Sequence, residues 1–184
     1  MMAPTHVFAG LTLVAPVAYL TPEFSHVLAV GAILGGLAPD VDLVFEHRRS
    51  LHFPLLGAFV AIPLGIVAVA APGPLTVGLA TFVAIAWVHA VSDVVGNGPE
   101  LDPWNDPIDR AVYDHVRGKW IRPRRWIRYD GAPEDAALAV ALALPPLLVL
   151  DRWILPVIGG GIAVALTYTL FRRRVVELVP EWIE

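Results

Sequence analysis

The chain contains no cysteine. That excludes disulfides and thiolate metal sites, and leaves His, Asp and Glu as the ligands for any metal. Charge is also scarce. Charged residues make up 16% of the 184 positions, against 57% hydrophobic residues and a mean hydropathy of +0.65. Soluble domains carry about a quarter charged residues, so this deficit points to a membrane protein. The net charge of -4 and the pI near 5.8 give no whole-chain attraction to nucleic acid. The start, MMAPTH, lacks the basic region of a secretory signal, so the first apolar run is expected to be retained. Several catalytic signatures are missing too: G-x-S-x-G, the zincin H-E-x-x-H, a Cys–His pair and a phosphate-cradling Gly loop.

What the chain does have is apolar length. Six runs follow one another: Val7–Leu20, His26–Pro39, Pro54–Ala71, Leu75–Val91, Ala136–Leu150 and Trp153–Phe171. A bilayer span needs about 17–25 residues. The third, fourth and sixth runs meet that length, while the first, second and fifth need flanking residues or a half-buried place in a bundle. The reading is all-α: one integral-membrane domain over 1–184, with about six apolar helices, four to six of them spanning. Residues 96–135 form a cytoplasmic interfacial insertion. Within it, "NDPIDRAVYDHVRGK" suggests an amphipathic interfacial helix near 105–118, capped by Asn105 or Asp106, begun by Pro107 and ended by Gly118.

Basic residues orient the bundle. With six spans and an inner N-terminus, the inner segments are 39–53, 92–135 and 172–184. They hold twelve of the thirteen Lys and Arg residues, and only Arg152 lies outside. This is the pattern of a multi-pass protein of the cytoplasmic (inner) membrane with both termini in the cytoplasm.

The same topology gathers ionisable residues. His6 lies at the inner mouth of the first helix, Asp40 and Asp42 follow the second, and His47 and His52 precede the third. His89 and Asp93 end the fourth, one turn apart on one face. Such groups at membrane depth are costly and usually functional. Without cysteine they suit one or two hard or borderline divalent cations. Each residue has a plainer use as well. Asp40 could cap a helix, His6 could simply be exposed, and His89 with Asp93 could be a hydrogen-bonded pair. Glu46 and His115 carry no assignment, and His26 reads as structural.

Four of these stretches carry a resemblance. "TH" near the start, "GGLAPDVD", "HRRSLH" and "HAVSD" are similar to the motif series of the YdjM-like family of membrane-bound, metal-dependent hydrolases, whose domain has no assigned function. The likeness covers roughly residues 1 to 104. It implies that His6, Asp40, Asp42, His47, His52, His89 and Asp93 form the metal and active-site group. Arg49, Leu51 and Phe53 stand where the family pattern has Gly, Thr and Ser, which removes two hydroxyls beside His52 but no proposed ligand.

These readings lead to a metal-dependent hydrolase at the cytoplasmic membrane face. Zinc is the first expectation, with manganese or magnesium as alternatives. His52, His89, Asp93 and Asp42 are expected as core ligands, with His6 and Asp40 in support and Asp40 and Asp42 as the catalytic carboxylates. Two ions would suit a phosphoester. The segment "GKWIRPRRWIRYDG" interleaves aromatics with arginines, as interfacial anchors do, and makes membrane lipids the expected partner and a lipid or other small molecule the expected substrate. Two other classes stay open: a divalent-cation transporter or sensor, and a structural membrane protein pinned by a metal. Oligomeric state is not set by the sequence.

Overall fold

Prolines and short polar turns cut the apolar runs into helices. Pro4, Pro74 and Pro133 stand in first turns, where a missing N–H costs nothing. The computed structural model describes residues 1–178. Its helices are α1 (Ala3–Leu20), α2 (Ser25–Leu37), α3 (Leu56–Ala70), α4 (Pro74–Ser92), α5 (Pro133–Val149) and α6 (Leu155–Leu178), with a two-stranded hairpin, β1 (Val112–Asp114) and β2 (Lys119–Ile121). The chain is an all-α helix bundle in which α1 lies between α2 and α5. Helix α2 also packs on α4, α4 on α3, and α6 on α5 and α1.

Among the described residues four segments are long and apolar enough to cross a membrane: Ala3–Leu20, Pro22–Val44, Pro74–Val95 and Arg152–Glu177. The first two runs reach this length through their flanks. In the second, short 3-10 turns at Pro22–Phe24 and Pro39–Val44 extend α2 at both ends. The third run falls short of its expected length. Pro54 and Leu55 belong to the turn before α3, where the Trp87 indole donates to the Pro54 carbonyl (2.9 Å). Helix α3 is therefore only 15 residues long. It shows Phe59, Ile62, Ile66 and Val69 outward, and α6 does the same with Leu166 and Leu170. An apolar outer surface of this extent is what lipid solvates and water does not.

The bundle closes where backbones nearly touch. A Cβ on Gly35 would lie 2.4 Å from the Phe82 carbonyl oxygen of α4, and one on Gly36 would lie 2.8 Å from Val7 Cα of α1. Neither neighbour is a movable side-chain tip. Two adjacent glycines thus let α2 contact α4 on one side and α1 on the other, the close approach that small residues allow in lipid.

The amphipathic helix expected near 105–118 does not form. Asn105 sits in a turn, its amide and side chain both bonded to Asp102. From Val112 the chain is strand, paired Val112–Ile121, Tyr113–Trp120 and Asp114–Lys119. The Asp114 carboxylate accepts from the Val116 and Arg117 amides (2.9 and 3.1 Å). That turn closes before a helix could propagate, and Gly118 supplies the left-handed residue at φ +63°. Of the apolar residues that would have made the helical stripe, Ile108, Ala111, Val112 and Val116, only Val112 lies in a strand, where it is buried, and Val116 is exposed in the turn.

Two carboxylates that the sequence did not flag, Asp135 buried and Asp130 half-buried, tie helices together. Asp135 of α5 accepts from Thr5 Oγ1 of α1 (2.7 Å) and from the Gly131 amide. Asp130 accepts from Arg172 Nη2 (3.0 Å) and from the Tyr168 hydroxyl (2.6 Å), both on α6.

Two outcomes are expected. Gly35→Ala should lower stability in detergent by about 1–3 kcal/mol, the usual cost of overpacking, read as a drop in melting temperature; an unchanged melt would contradict the close α2–α4 contact. The second concerns acid. Burial pushes the Asp130 carboxyl up, but the Arg172 guanidinium and the Tyr168 hydroxyl more than reverse this and hold it below the ordinary carboxylate range. The pair's stabilisation is then complete above the pKa of a free Asp, about 3.9, and is lost as pH falls through the lower folded value. Asp130→Asn should shrink the stability difference between pH 6 and pH 3, as read by thermal melts of both proteins.

Candidate metal centre

The end of the bundle that Gly35 and Gly36 draw together carries the polar residues. Asp40 comes from the 3-10 turn after α2, His52 from the loop before α3, and His89 and Asp93 from the end of α4. One ligand atom from each of these four lies within 4.8 Å of the other three. His52, His89 and Asp93 are buried, and Asp40 is partly open.

Hydrogen bonds behind the cluster set which ring atom faces it. His89 Nδ1 donates to the Gly36 carbonyl (2.8 Å), the same glycine that admits α1. His52 Nδ1 donates to Asp42 Oδ2 (2.9 Å). In the neutral tautomers both Nε2 atoms then point inward as lone pairs. Neither has a hydrogen-bond partner, nor does Asp93 Oδ2, although all three are buried. Acceptors facing one another without a donor are unfavourable, so the cluster calls for positive charge.

Spacing bears on what that charge is. His52 Nε2 lies 3.2 Å from Asp93 Oδ2 and 3.9 Å from Asp40 Oδ1. His89 Nε2 lies 3.4 Å and 3.3 Å from the same two oxygens. Charge-assisted N–H···O bonds run shorter, at about 2.7–2.9 Å. Four donors about 2.0–2.1 Å from a central zinc would lie about 3.3–3.4 Å from one another. Protons compete for the same place. Burial opposes charge on His52, while its bond to Asp42 and the neighbouring Asp93 carboxylate favour it and prevail, raising its pKa above the ordinary imidazole value. The group of two histidines and two aspartates could hold a metal ion.

Asp42, expected among the core ligands, is taken up elsewhere. It is fully buried. Its Oδ1 meets His47 Nδ1 (2.8 Å), and its Oδ2 accepts from His52 Nδ1 and the Leu51 amide (3.1 Å). Asp40 fills the fourth place because Pro39 and the 3-10 turn present it on the His89 side, while Asp42, two residues on, turns toward the 47–52 loop. Asp42 thus stands where the carboxylate of a carboxylate–histidine–metal arrangement would, a place from which it would orient a ligand and raise its basicity. His47 touches Asp42 without reaching the four-atom group. His6 stacks on His89 with ring centroids 3.7 Å apart, and its Nε2 lies 3.1 Å from Asp93 Oδ1. That leaves Asp93 Oδ2 for the centre. Ser92, at 3.2 Å from His6 Nδ1, completes the chain of contacts.

The remaining candidates stand apart. Glu46 pairs with Arg49 at the surface (2.6 Å), His115 donates to the Arg49 carbonyl (2.7 Å), and His26 packs on Trp153. Sequence reading missed Arg48, which is buried, bonds the Asn97 carbonyl and lies 3.9 Å from Asp93 Oδ1. Its place beside His47 in "HRRSLH" was the available signal, hidden because a basic residue in an inner loop already had an explanation.

A cavity of about 330 Å³ opens beside the centre, with Asp40, His47 and Arg48 on its wall. Compared with known protein families, with curated proteins and with solved structures, the chain matches none.

The centre makes a clear expectation for metal analysis. Detergent-purified protein should carry a stoichiometric divalent metal, lost in the His52→Ala, His89→Ala double variant and kept in His47→Ala. Asp42→Asn should weaken binding by about 10–100-fold, as loss of a ligand's orienting partner does. Equal metal content in wild type and double variant would remove the centre.

Proposed function

We propose that the protein is a membrane-embedded, metal-dependent hydrolase of the YdjM-like kind, with its centre at the cytoplasmic face of the cytoplasmic membrane and both termini on that side. The observation that carries the reading is the set of two buried imidazole lone pairs, the buried Asp93 carboxylate and the partly open Asp40 carboxylate, without a donor among them, beside a cavity. Twelve of thirteen basic residues on the inner segments support the orientation.

Zinc fits the donor set best, since mixed imidazole and carboxylate ligands in near-tetrahedral spacing are its habit; manganese or magnesium would favour more oxygens. When bound, a divalent cation supplies Lewis acidity and brings the pKa of water toward neutrality. The chain's own residues divide the remaining work. His52, His89 and Asp93 hold the ion. Asp42 fixes the His52 ring, and His6 orients Asp93. Asp40 is the donor nearest to solvent and lines the cavity, so it is the carboxylate that would take a proton from an attacking water.

A second reading has its own support. Four protein ligands make a closed site, and closed sites are usually structural, whereas catalytic ones keep a position open. Under that reading Asp40 stays bound and the metal only pins α2 to α4. Transport is less favoured, because the cluster sits at one end of the bundle, and carrier sites sit near the midplane.

Asp40 separates these readings. In the hydrolase, Asp40→Asn should retain the metal while kcat on a phosphoester falls by about 10²–10⁴-fold, the usual weight of a general base. The check is metal content and turnover on one preparation, over a panel of phosphomonoesters, phosphodiesters, carboxylic esters and amides. Metal-loaded wild type that cleaves nothing in the panel, yet melts lower once the metal is stripped, is the structural pin.

A further inference from the structure

The cavity beside Asp40 has a second polar wall. Arg48 and Arg172 both line it, and both are buried, at 4% and 2% exposure. A buried guanidinium normally has its N–H groups satisfied. Among the described residues Arg48 Nε and Arg172 Nη1 have no partner. Neither arginine is free to turn away. Arg172 donates through Nε to the Asp130 carbonyl (2.9 Å) and through Nη2 to the Asp130 carboxylate, and it lies 5.3 Å from the Trp104 ring centroid. Arg48 is held through the Asn97 carbonyl, and its backbone is in the left-handed region at φ 60°. That conformation is costly for a residue with a side chain and persists where surroundings impose it. The Tyr113 amide of the hairpin, donating to the Arg48 carbonyl (3.0 Å), is part of that imposition.

Arg48 and Arg172 face two acids on the same wall, Asp130 and Glu100, the latter with a buried Oε2 that likewise has no partner among the described residues, so it is the unpartnered N–H groups and not net charge that call for an acceptor. A dication would balance Asp40 and Asp93. Asp130 is engaged by Arg172, and Glu100 accepts from the Ile108 amide (3.3 Å). Among the described residues Arg48 reaches a carboxylate only at 3.9 Å. Fixed guanidinium N–H groups are the standard means of recognising phosphate oxygens.

Another part of the lining is apolar. Leu43 and Val164 border the cavity and are exposed. Each belongs to a segment long and apolar enough to span a membrane, Pro22–Val44 and Arg152–Glu177. Val164 lies two turns before Arg172 on one face of α6. The cavity therefore offers a polar end near Asp40 and a greasy border toward lipid.

Resting on the hydrolase reading above, we infer that Arg48 and Arg172 form a phosphate-recognition subsite beside the metal centre, and that the cavity takes an amphiphile: a phosphate ester carrying an apolar tail that leaves past Leu43 and Val164. Arg48 and Arg172 are binding and positioning residues for the phosphate, while the four-residue centre works on the bond to be cleaved.

The test is binding, read apart from turnover. Detergent-purified full chain, both with its metal and stripped of it with EDTA, is titrated by calorimetry with dioctanoyl phosphatidic acid, dioctanoylglycerol and inorganic phosphate. The phosphatidic acid should bind at least about tenfold more tightly than either of the other two, since loss of charged hydrogen bonds or of the tail each removes a major contribution. Arg48→Gln and Arg172→Lys should each weaken it about tenfold or more. Metal content of the same preparations, before stripping, should be unchanged by Arg172→Lys. Where a variant fails to fold, the three-ligand comparison on wild type decides alone. Equal binding of dioctanoylglycerol overturns the phosphate subsite, equal binding of inorganic phosphate overturns the amphiphile, and no binding of the phosphatidic acid overturns both. Intact metal with any of these results leaves the hydrolase reading standing. Selective phosphatidic acid binding in a protein that never holds metal sinks that reading and keeps the subsite.

Discussion

The structure depends on two glycines in a row. Gly35 and Gly36 bring the α2 backbone against the Phe82 carbonyl of α4 and against Val7 of α1, at separations that any side chain would prevent. The polar end follows from that contact. Because α1 and α4 both touch α2 there, His6 stacks on His89 and reaches Asp93. Because Gly36 keeps its carbonyl close to α4, His89 has an acceptor for Nδ1 and turns Nε2 inward. A packing device common in membrane helices thus also sets a tautomer.

Given that geometry, the electrostatics leave few choices. Two imidazole lone pairs and two carboxylate oxygens within a few ångströms, all but Asp40 buried and none with a donor, require positive charge from protons or from a cation. Either way the region is a concentrated reserve of unmet polarity in a bundle that is otherwise apolar. The outer contacts leave its inward-facing atoms free. Asp42 uses both oxygens on His47, His52 and the Leu51 amide, His6 occupies the far oxygen of Asp93, and Ser92 occupies the far nitrogen of His6. The hairpin takes part from outside the bundle, through the Tyr113 amide on the Arg48 carbonyl. In this way the segment between α4 and α5 shapes the cavity wall next to the centre.

Some of this was legible from residues alone. Hydropathy and the scarcity of charge lead to an all-α bundle with membrane-length helices, because burial of apolar surface depends on composition and run length more than on partners. The motif positions of His52, His89, Asp93 and Asp40 were legible as a ligand pool, since ionisable groups interrupting apolar runs are few. The hairpin was not legible. Ile108, Ala111, Val112 and Val116 fit a helical stripe as well as they fit loop and strand, and a single Asx turn at Asp114 decided the matter. Arg48, Arg172, Asp130 and Asp135 were also hidden, because their sequence neighbourhoods show only ordinary loop and helix-end charge.

By itself the sequence determined the solvent this protein prefers, the helical class and the identities of the groups able to meet a cation, since those properties are carried by each residue and its near neighbours. The tertiary structure alone decided that Asp40 and not Asp42 joins His52, His89 and Asp93, and that two distant arginines share one cavity. Those outcomes depend on directions and separations of a few ångströms between segments far apart in the chain, which local order does not encode.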